Sequence, residues 1–411
     1  MAITEVFMET EYKTFKKRWL VLAALVPIII ATEIYWLAFA PISSQVESFF
    51  GVSEISITLF AMSYMFMYIL LAMPASWVVD KYGFKKSVAI GVVLMVIPAV
   101  LRYVFAEDFT VAIICQFAMA AAQPFIINIS TKVPSNWFPV KERATASGLL
   151  VMAQYLGFII PMAFSATLFG LGMKNMMGIF ALITVIAGAA ALILTRENPP
   201  VMPGPPEPKE DMNFRSIKAL FKNRQYLIVL VIGFVSIGLL NTLLSMIESI
   251  LEPKGMMLQA GIAGVVFLVA GVVGAVVVPI FSDKIRKRMV LLKTGMVVLL
   301  LLLAALTFFK LPILIMIVYG LMGFLVMGLA PILFQHGAEA AYPSKEGTSF
   351  GMVMLMGQVS GLIFVLAFEI ISESSVLWSM LFLLIIALLQ IPVALKMRES
   401  KVFLKETKKL E

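Results

Sequence analysis

The chain has 411 residues, 61% of them apolar and 14% charged, with a mean hydropathy of +1.00. A soluble protein of this length carries about 25% charged residues, so the composition excludes a water-soluble globular fold. One cysteine, Cys115, and one histidine, His336, exclude an intramolecular disulfide, a cysteine cluster for metal and a His-Glu-x-x-His zinc site.

The apolar runs are continuous and about twenty residues long, which fits membrane-crossing helices and not the alternating ten-residue strands of a membrane β-barrel. Residues 1–17 mix Glu5, Glu9 and Glu11 with Lys13, Lys16 and Lys17 and read as a cytoplasmic lead-in, with no cleavable signal pattern. Helices are then expected over 19–42, 55–79, 87–106, 109–132, 144–169, 175–195, 226–251, 257–281, 290–309, 311–338, 349–372 and 376–395. With both termini in the cytoplasm, Arg102, Lys174, Lys254 and Lys310 alone among the 32 Lys and Arg fall on the outer side. That bias sets orientation during insertion, so the net charge of +8 needs no nucleic-acid partner.

Helix 1 places Glu33 near the bilayer centre, with Trp36 three residues on and on the same helical face. A carboxylate at that depth costs several kcal/mol unless it is neutralised or partnered, which marks a site; a structural Glu33 bonded to a neighbouring helix is the alternative. Gln123, Gln154, Asn241 and Gln358 likewise fall about ten to sixteen residues into helices 4, 5, 7 and 11, near mid-membrane. Each amide taken singly is served equally well by an interhelical hydrogen bond. As a set they favour a central cavity, where Trp36 and Glu33 would suit an amine or quaternary ammonium through cation–π attraction and a counter-charge.

After helix 2 comes Asp80-Lys81-Tyr82-Gly83-Phe84-Lys85-Lys86, and after helix 8 comes Asp283-Lys284-Ile285-Arg286-Lys287-Arg288. Gly83 permits a tight loop and the lysines hold it at an anionic surface. Asp80 is placed to accept from the exposed N–H groups of a neighbouring helix start or to pair with a cation. Pro139-Val140-Lys141-Glu142 leading to Gln154 and Gly157 recurs as Pro343-Ser344-Lys345-Glu346 leading to Gln358 and Gly361. These echoes imply a duplicated half, with residues 1–195 and 226–411 as six-helix bundles and 196–225 as a Pro-rich cytoplasmic linker, in which 214–221 is either a surface helix or a plain loop. Asp80, Lys81, Gly83, Lys85, Asp283, Lys284 and Arg286, with Glu142, Arg143, Glu339 and Glu346 at the same face, are the candidates for conformational gating. His336 and Glu339 could form a proton relay or a loop-anchoring network. Arg102 reads as snorkelling to the outer surface, and Glu369 and Glu373 as solvated.

The paired loops resemble the loop signature of the major facilitator superfamily, with Ser76 in place of its first glycine and no central glycine in the second copy. Longer strings are similar to the feline leukaemia virus subgroup C receptor-related transporters: Lys17-Arg18-Trp19-Leu20, Ala40-Pro41-Ile42, Met73-Pro74-Ala75-Ser76-Trp77-Val78-Val79-Asp80, Ala122-Gln123-Pro124-Phe125 and Tyr342-Pro343 with Glu346-Gly347-Thr348-Ser349. The resemblance covers nearly all of the first half and parts of the second. It implies an all-α integral membrane protein with twelve transmembrane helices in two pseudo-symmetric six-helix bundles, the major facilitator fold. It implies movement of choline, ethanolamine or a similar small solute, with haem also proposed for the family, and no cofactor. Trp36, Gln123 and Gln358 match the family's choline pocket, while its helix-7 tyrosine falls on Asn241, removing one aromatic wall.

The reading that follows is a monomeric transporter of the plasma membrane, not an enzyme, that binds a small organic solute and uses H+ or Na+ as candidate coupling ions through Glu33. The competing readings are a haem or other organic-solute exporter, an intramembrane enzyme, against which no Gly-x-Ser-x-Gly string is found, and a non-transporting receptor.

Overall fold

The computed structural model describes residues 16–130, 132–200, 221–285, 288–341 and 346–399, with backbone alone at 140, 141, 144, 283 and 346–349. Among the described residues twelve helices are long and apolar enough to cross a membrane. They are α1 (Lys17–Leu37), α2 (Glu54–Tyr82), α3 (Phe84–Val104), α4 (Phe109–Ile127), α5 (Val140–Gly170), α6 (Met173–Leu194), α7 (Arg224–Ser245), α8 (Ala260–Ile285), α9 (Arg288–Phe308), α10 (Pro312–Ala341), α11 (Glu346–Ser372) and α12 (Val376–Leu395). A 3-10 turn at Ala40–Ile42 and a short helix at Ser43–Phe50 prolong α1, and Ile247–Leu251 prolongs α7. Most of the expected amphipathic piece at 214–221 lies outside the described residues.

The helices are apolar on every face because a lipid-facing side chain gains nothing from polarity, while each backbone N–H is satisfied inside its own helix. Polar residues mark the ends instead. Asp108 accepts from the Val111 N–H at 3.1 Å, Asn223 from Gln225 at 3.0 Å and Tyr226 at 3.2 Å, and Ser375 from Leu377 at 3.2 Å. Successive helices alternate in direction, which gathers Gly83, residues 132–139, the end of α8 with the start of α9, and the described ends of the linker on one side, here the linker side. The loops at 51–53, 105–108, 171–172, 252–259, 309–311 and 373–375 form the opposite side.

Small residues decide how close the helices come. In the second half a Cβ on Gly274 of α8 would strike the Phe324 carbonyl of α10, and one on Gly323 would strike the Phe267 carbonyl of α8. In the first half, a Cβ on Gly157 of α5 would lie 2.6 Å from Glu33 Cβ and 2.7 Å from the Ile30 carbonyl of α1.

The two halves meet along two seams. Gly261 and Gly264 of α8 pack against Met162 of α5 near the opposite side. Along the other seam, Gly361 of α11 packs on Met65 of α2, and Thr58 of α2 donates to Glu369 of α11 at 2.9 Å. Glu369, expected to be solvated, is 3% exposed. The sequence locates it at the end of α11, but the other half covers that end.

On the linker side the first half clasps the root of the linker. Glu197 accepts from the Phe84 N–H at 3.0 Å and the Lys85 N–H at 2.7 Å, so it caps the start of α3. Trp137 Nε1 donates to the Arg196 carbonyl at 2.9 Å, and Asn136 Nδ2 to Asn198 Oδ1 at 3.2 Å. The capping position read for Asp80 is thus taken by Glu197; Asp80 itself is exposed, and Lys132 is the cation within its electrostatic reach. Gly83 makes the clasp possible, since its φ is +90° and a Cβ there would sit 2.5 Å from the Glu197 carboxyl carbon. Gly83→Ala is expected to displace that carboxylate and cost about 1–3 kcal/mol, read as a lower thermal midpoint; an unchanged midpoint would count against the clasp.

Candidate functional site

Glu33 is 0% exposed on α1. Its carboxylate accepts from Gln123 Nε2 of α4, with both oxygens at 3.1 Å. Gly157 brings the α5 backbone against the same stretch of α1, so the acid sits in the angle between α1, α4 and α5. Among the described residues no Lys or Arg forms an ion pair with it. Tyr64 and Tyr68 of α2 lie within electrostatic reach of its charge, and the buried Tyr64 hydroxyl has no hydrogen-bond partner.

Trp36 lies one turn farther toward the opposite side, 8% exposed, its ring edge-on to Phe158 of α5 at 4.9 Å between centroids. With Thr58 and Ala61 of α2 and Ser245, Met246 and Ser249 from the α7 end, it lines a cavity of about 20 Å³ between the halves, room for about one water. Among the described residues neither the buried Trp36 indole N–H nor the buried Ser245 hydroxyl has a hydrogen-bond partner.

The other expected residues divide into two groups. Asn241 is 4% exposed on α7 against Gly361 of α11, its amide nitrogen buried and unpartnered. Gln154 of α5 and Gln358 of α11, which occupy equivalent places in the two halves, are only half-buried. Glu33, Gln123 and Trp36 therefore cluster in the first half, Trp36 meets the α7 end across the seam, and Asn241 with Gln358 belongs to the facing helices of the second half.

The linker-side candidates are local to each half. Arg18 of α1 holds Glu142 of α5 through two hydrogen bonds, at 3.0 and 3.1 Å, and Arg143 donates to the Phe138 carbonyl at 3.1 Å. Arg288 of α9 forks onto Glu339 of α10 at 2.9 and 2.8 Å and reaches Glu399 at 3.2 Å. Glu339 thus belongs to a loop-anchoring network, and neither His336 ring nitrogen is hydrogen-bonded. Lys81 lies over the Trp77 ring at 4.6 Å, and Lys85 and Lys284 are exposed. The side chains of Asp283 and Glu346, and all of Arg286, lie outside the described residues.

Two charged groups that the sequence places at the membrane edge turn out to be interior. Arg102 is 1% exposed, not snorkelling: it donates to Gln116, which in turn donates to the Tyr35 and Phe60 carbonyls at 3.0 Å each, and its guanidinium lies over Phe39 at 4.6 Å. Glu248, which no motif singles out, is 1% exposed and bonds to Ser43 and Ser44 of the other half. Its only sequence signal is an acid at the end of an apolar run.

The Major Facilitator Superfamily model matches residues 18–365. The chain is 27% identical over 387 residues to solute carrier family 49 member A3 of Xenopus tropicalis, covering 87% of this chain and 79% of that one. It is 30% identical over 375 residues to the uncharacterized protein B0416.5 of Caenorhabditis elegans, covering 87% and 73%, and 25% identical over 385 residues to the choline/ethanolamine transporter FLVCR2 of Homo sapiens, covering 86% and 72%. The fold matches that of a bacterial homologue of the human lysosomal transporter Spinster, crystallised inward-facing and unoccupied, with a TM-score of 0.74 at 15% identity over 95% of this chain and 100% of that one. Twelve membrane-crossing helices in two facing six-helix bundles, a match spanning most of the chain and these relatives together show that the chain belongs to the Major Facilitator Superfamily, as a transporter related to the feline leukaemia virus subgroup C receptor-related proteins.

Proposed function

We propose that this transporter carries a small amine or organic cation of the choline or ethanolamine type by alternating access, with coupling to H+ or Na+ through Glu33. The observation that carries the reading is a fully buried carboxylate near mid-helix whose hydrogen-bond donor, among the described residues, is a neutral amide, Gln123. A charge of this kind costs about 2.5–3.5 kcal/mol or more at the centre of a bilayer. A bound proton or a cation removes that cost, and either can supply a transport stoichiometry. Trp36 one turn away adds the face of an indole, the best aromatic partner for an ammonium group. Gln154 and Gln358, half-buried amides at equivalent places in the two halves, are suited to bind the polar end of the same solute.

Orientation and state follow from the same reading. The linker side is the cytoplasmic side, where the basic residues concentrate, with both termini and residues 196–225 on it and the plasma membrane as the host bilayer. Residues 1–195 and 226–411 act as the two rocking units of a monomer. The cross-half contacts near the opposite side correspond to a state closed outward, and the charged loops on the linker side, from Asp80 to Lys85, Glu142 and Arg143, Asp283 to Arg286, Glu339 and Glu346, are the groups that regroup when the state reverses. A haem substrate fits less well: iron takes His, Cys or Tyr, and His336 of α10 and Cys115 of α4 lie toward opposite sides.

A thermal-shift screen of the purified protein against choline, ethanolamine, other amines and haem at two pH values is expected to single out an organic cation. Uptake of that solute into proteoliposomes then separates a transporter from a receptor, which would bind saturably with no flux. In the same binding assay Trp36→Ala is expected to weaken affinity about tenfold, in line with the 0.5–2 kcal/mol of a cation–π contact. Equal affinity would remove the indole from the site.

A further inference from the structure

The seam on the opposite side is fastened by carboxylates. Glu248 Oε2 accepts from Ser43 Oγ at 2.8 Å and from the Ser44 N–H at 3.2 Å. Glu54 Oε1 accepts from Ser249 Oγ at 2.9 Å, and Glu369 Oε2 from Thr58 Oγ1 at 2.9 Å. Each of these bonds runs from one half to the other. Glu248 is 1% exposed and Glu369 3%, and among the described residues no Lys or Arg pairs with either.

The surroundings are acidic throughout. Glu54, Glu373 and Glu47 face Glu369, and Glu47 in turn faces Glu54 and Glu252. The groups bonded to Glu248 are the uncharged Ser43 and Ser44. Lys254, a cation of this side, is turned away: its ammonium donates to the Thr307 and Phe309 carbonyls at 3.2 and 3.0 Å, beside Lys310. Arg102 is enclosed within the first half. Among the described residues no hydrogen bond reaches the buried Glu248 Oε1, the place where a proton would remove an unsatisfied charge.

We propose that this seam is a proton-binding latch, in which protons on Glu248 and Glu369 hold the opposite side closed and their release lets it open. When the halves part, the Glu248 and Glu369 carboxyl groups pass from a closed seam into water, whereas Glu54 is exposed already. The closed state is then the one with higher proton affinity; burial pushes the Glu248 carboxyl up from its ordinary value, with the bonds from Ser43 and Ser44 pulling part of the way back. A state that binds more protons gains as pH falls and loses as pH rises through the raised value, by about tenfold in population per pH unit for each proton exchanged. External pH therefore biases which side the transporter faces, by a site separate from Glu33. The latch rests on the reading that the halves alternate, and substrate flux in the same vesicles tests that reading separately.

The test uses spin labels on cysteines placed at Leu171 and Leu258, exposed residues on the two halves at the opposite side, in the full chain reconstituted in nanodiscs. Their separation is measured by pulsed electron resonance from about pH 5 to about pH 8, a range that lies above the ordinary glutamate value. The closed-to-open ratio is expected to fall at least about tenfold over that range. All arms carry Glu33→Gln, so that the coupling acid cannot contribute. On that background the response should be present with Glu248 and Glu369 intact, whereas adding Glu248→Gln with Glu369→Gln should hold the protein closed throughout. Thr58→Val, which removes the donor to Glu369 and leaves both acids in place, should retain the response with a shifted midpoint. A separation that ignores pH in the unsubstituted seam, or a response that survives in the double glutamine protein, overturns the proposal.

Discussion

Glu33→Gln is expected to abolish gradient-driven accumulation while leaving exchange of labelled for unlabelled solute intact. Gln keeps the shape and can still meet Gln123 across the 3.1 Å contacts, so the packing of α1 against α4 and α5 survives. What it loses is the ability to be charged in one step of the cycle and neutral in another. A gradient of one pH unit is worth about 1.4 kcal/mol per coupled proton, enough for about a tenfold accumulation at zero membrane potential. The wild-type protein should reach that ratio in proteoliposomes and the variant should stop at equality. If the variant accumulates as well as the parent, Glu33 is a structural acid held by an interhelical bond and the coupling lies elsewhere. A sodium gradient run in parallel tells the two candidate ions apart.

The second large effect concerns the fold. Gly323→Val is expected to lower the thermal midpoint in detergent by about 5–10 °C, because overpacking a tight contact costs about 1–3 kcal/mol and sometimes more. Its missing Cβ faces the Phe267 carbonyl, and the missing Cβ of Gly274 faces the Phe324 carbonyl, so α8 and α10 touch through backbone at two neighbouring points. Neither contact can relax by turning a side chain, since the obstructing atoms are main chain. Gly148→Ala on α5 is the control. Nothing lies within 4 Å of that position, so the extra methyl should be neutral or slightly stabilising. A midpoint for Gly323→Val equal to that of the control would mean that α8 and α10 can separate without penalty.

The sequence carried the helices well and their partners poorly. Helix existence was legible because a run of about twenty apolar residues has one stable outcome in lipid, and the ends came within a few residues of Asp108, Asn223 and Ser375, whose side chains cap them. Glu33, Gln123 and Trp36 could be picked out because polar or bulky residues at mid-helix stand out against an apolar background. Glu369, Arg102 and Glu248 were misread or missed for one reason: depth along a helix can be counted, but cover from another element cannot. Glu369 is buried by Thr58, more than three hundred positions away in the chain, and Glu248 by Ser43 in the other half. The sequence presents Asp80 as an acceptor for a neighbouring helix start or a partner for a cation, yet the N–H groups that open α3 are met by Glu197, in a segment that reads as linker.

That clasp has a consequence for how the chain is made. Every residue in it, from Phe84 and Lys85 through Asn136 and Trp137 to Arg196, Glu197 and Asn198, precedes residue 200. Chains emerge from the ribosome N-terminus first and domains fold as units, so the first six helices can secure their own linker-side loops before α7 has left the exit tunnel. The nascent half need not wait, unfastened, for its sister, and a truncation ending just past Asn198 keeps the complete fastening, whereas one ending at Thr195 has none of its linker-side partners.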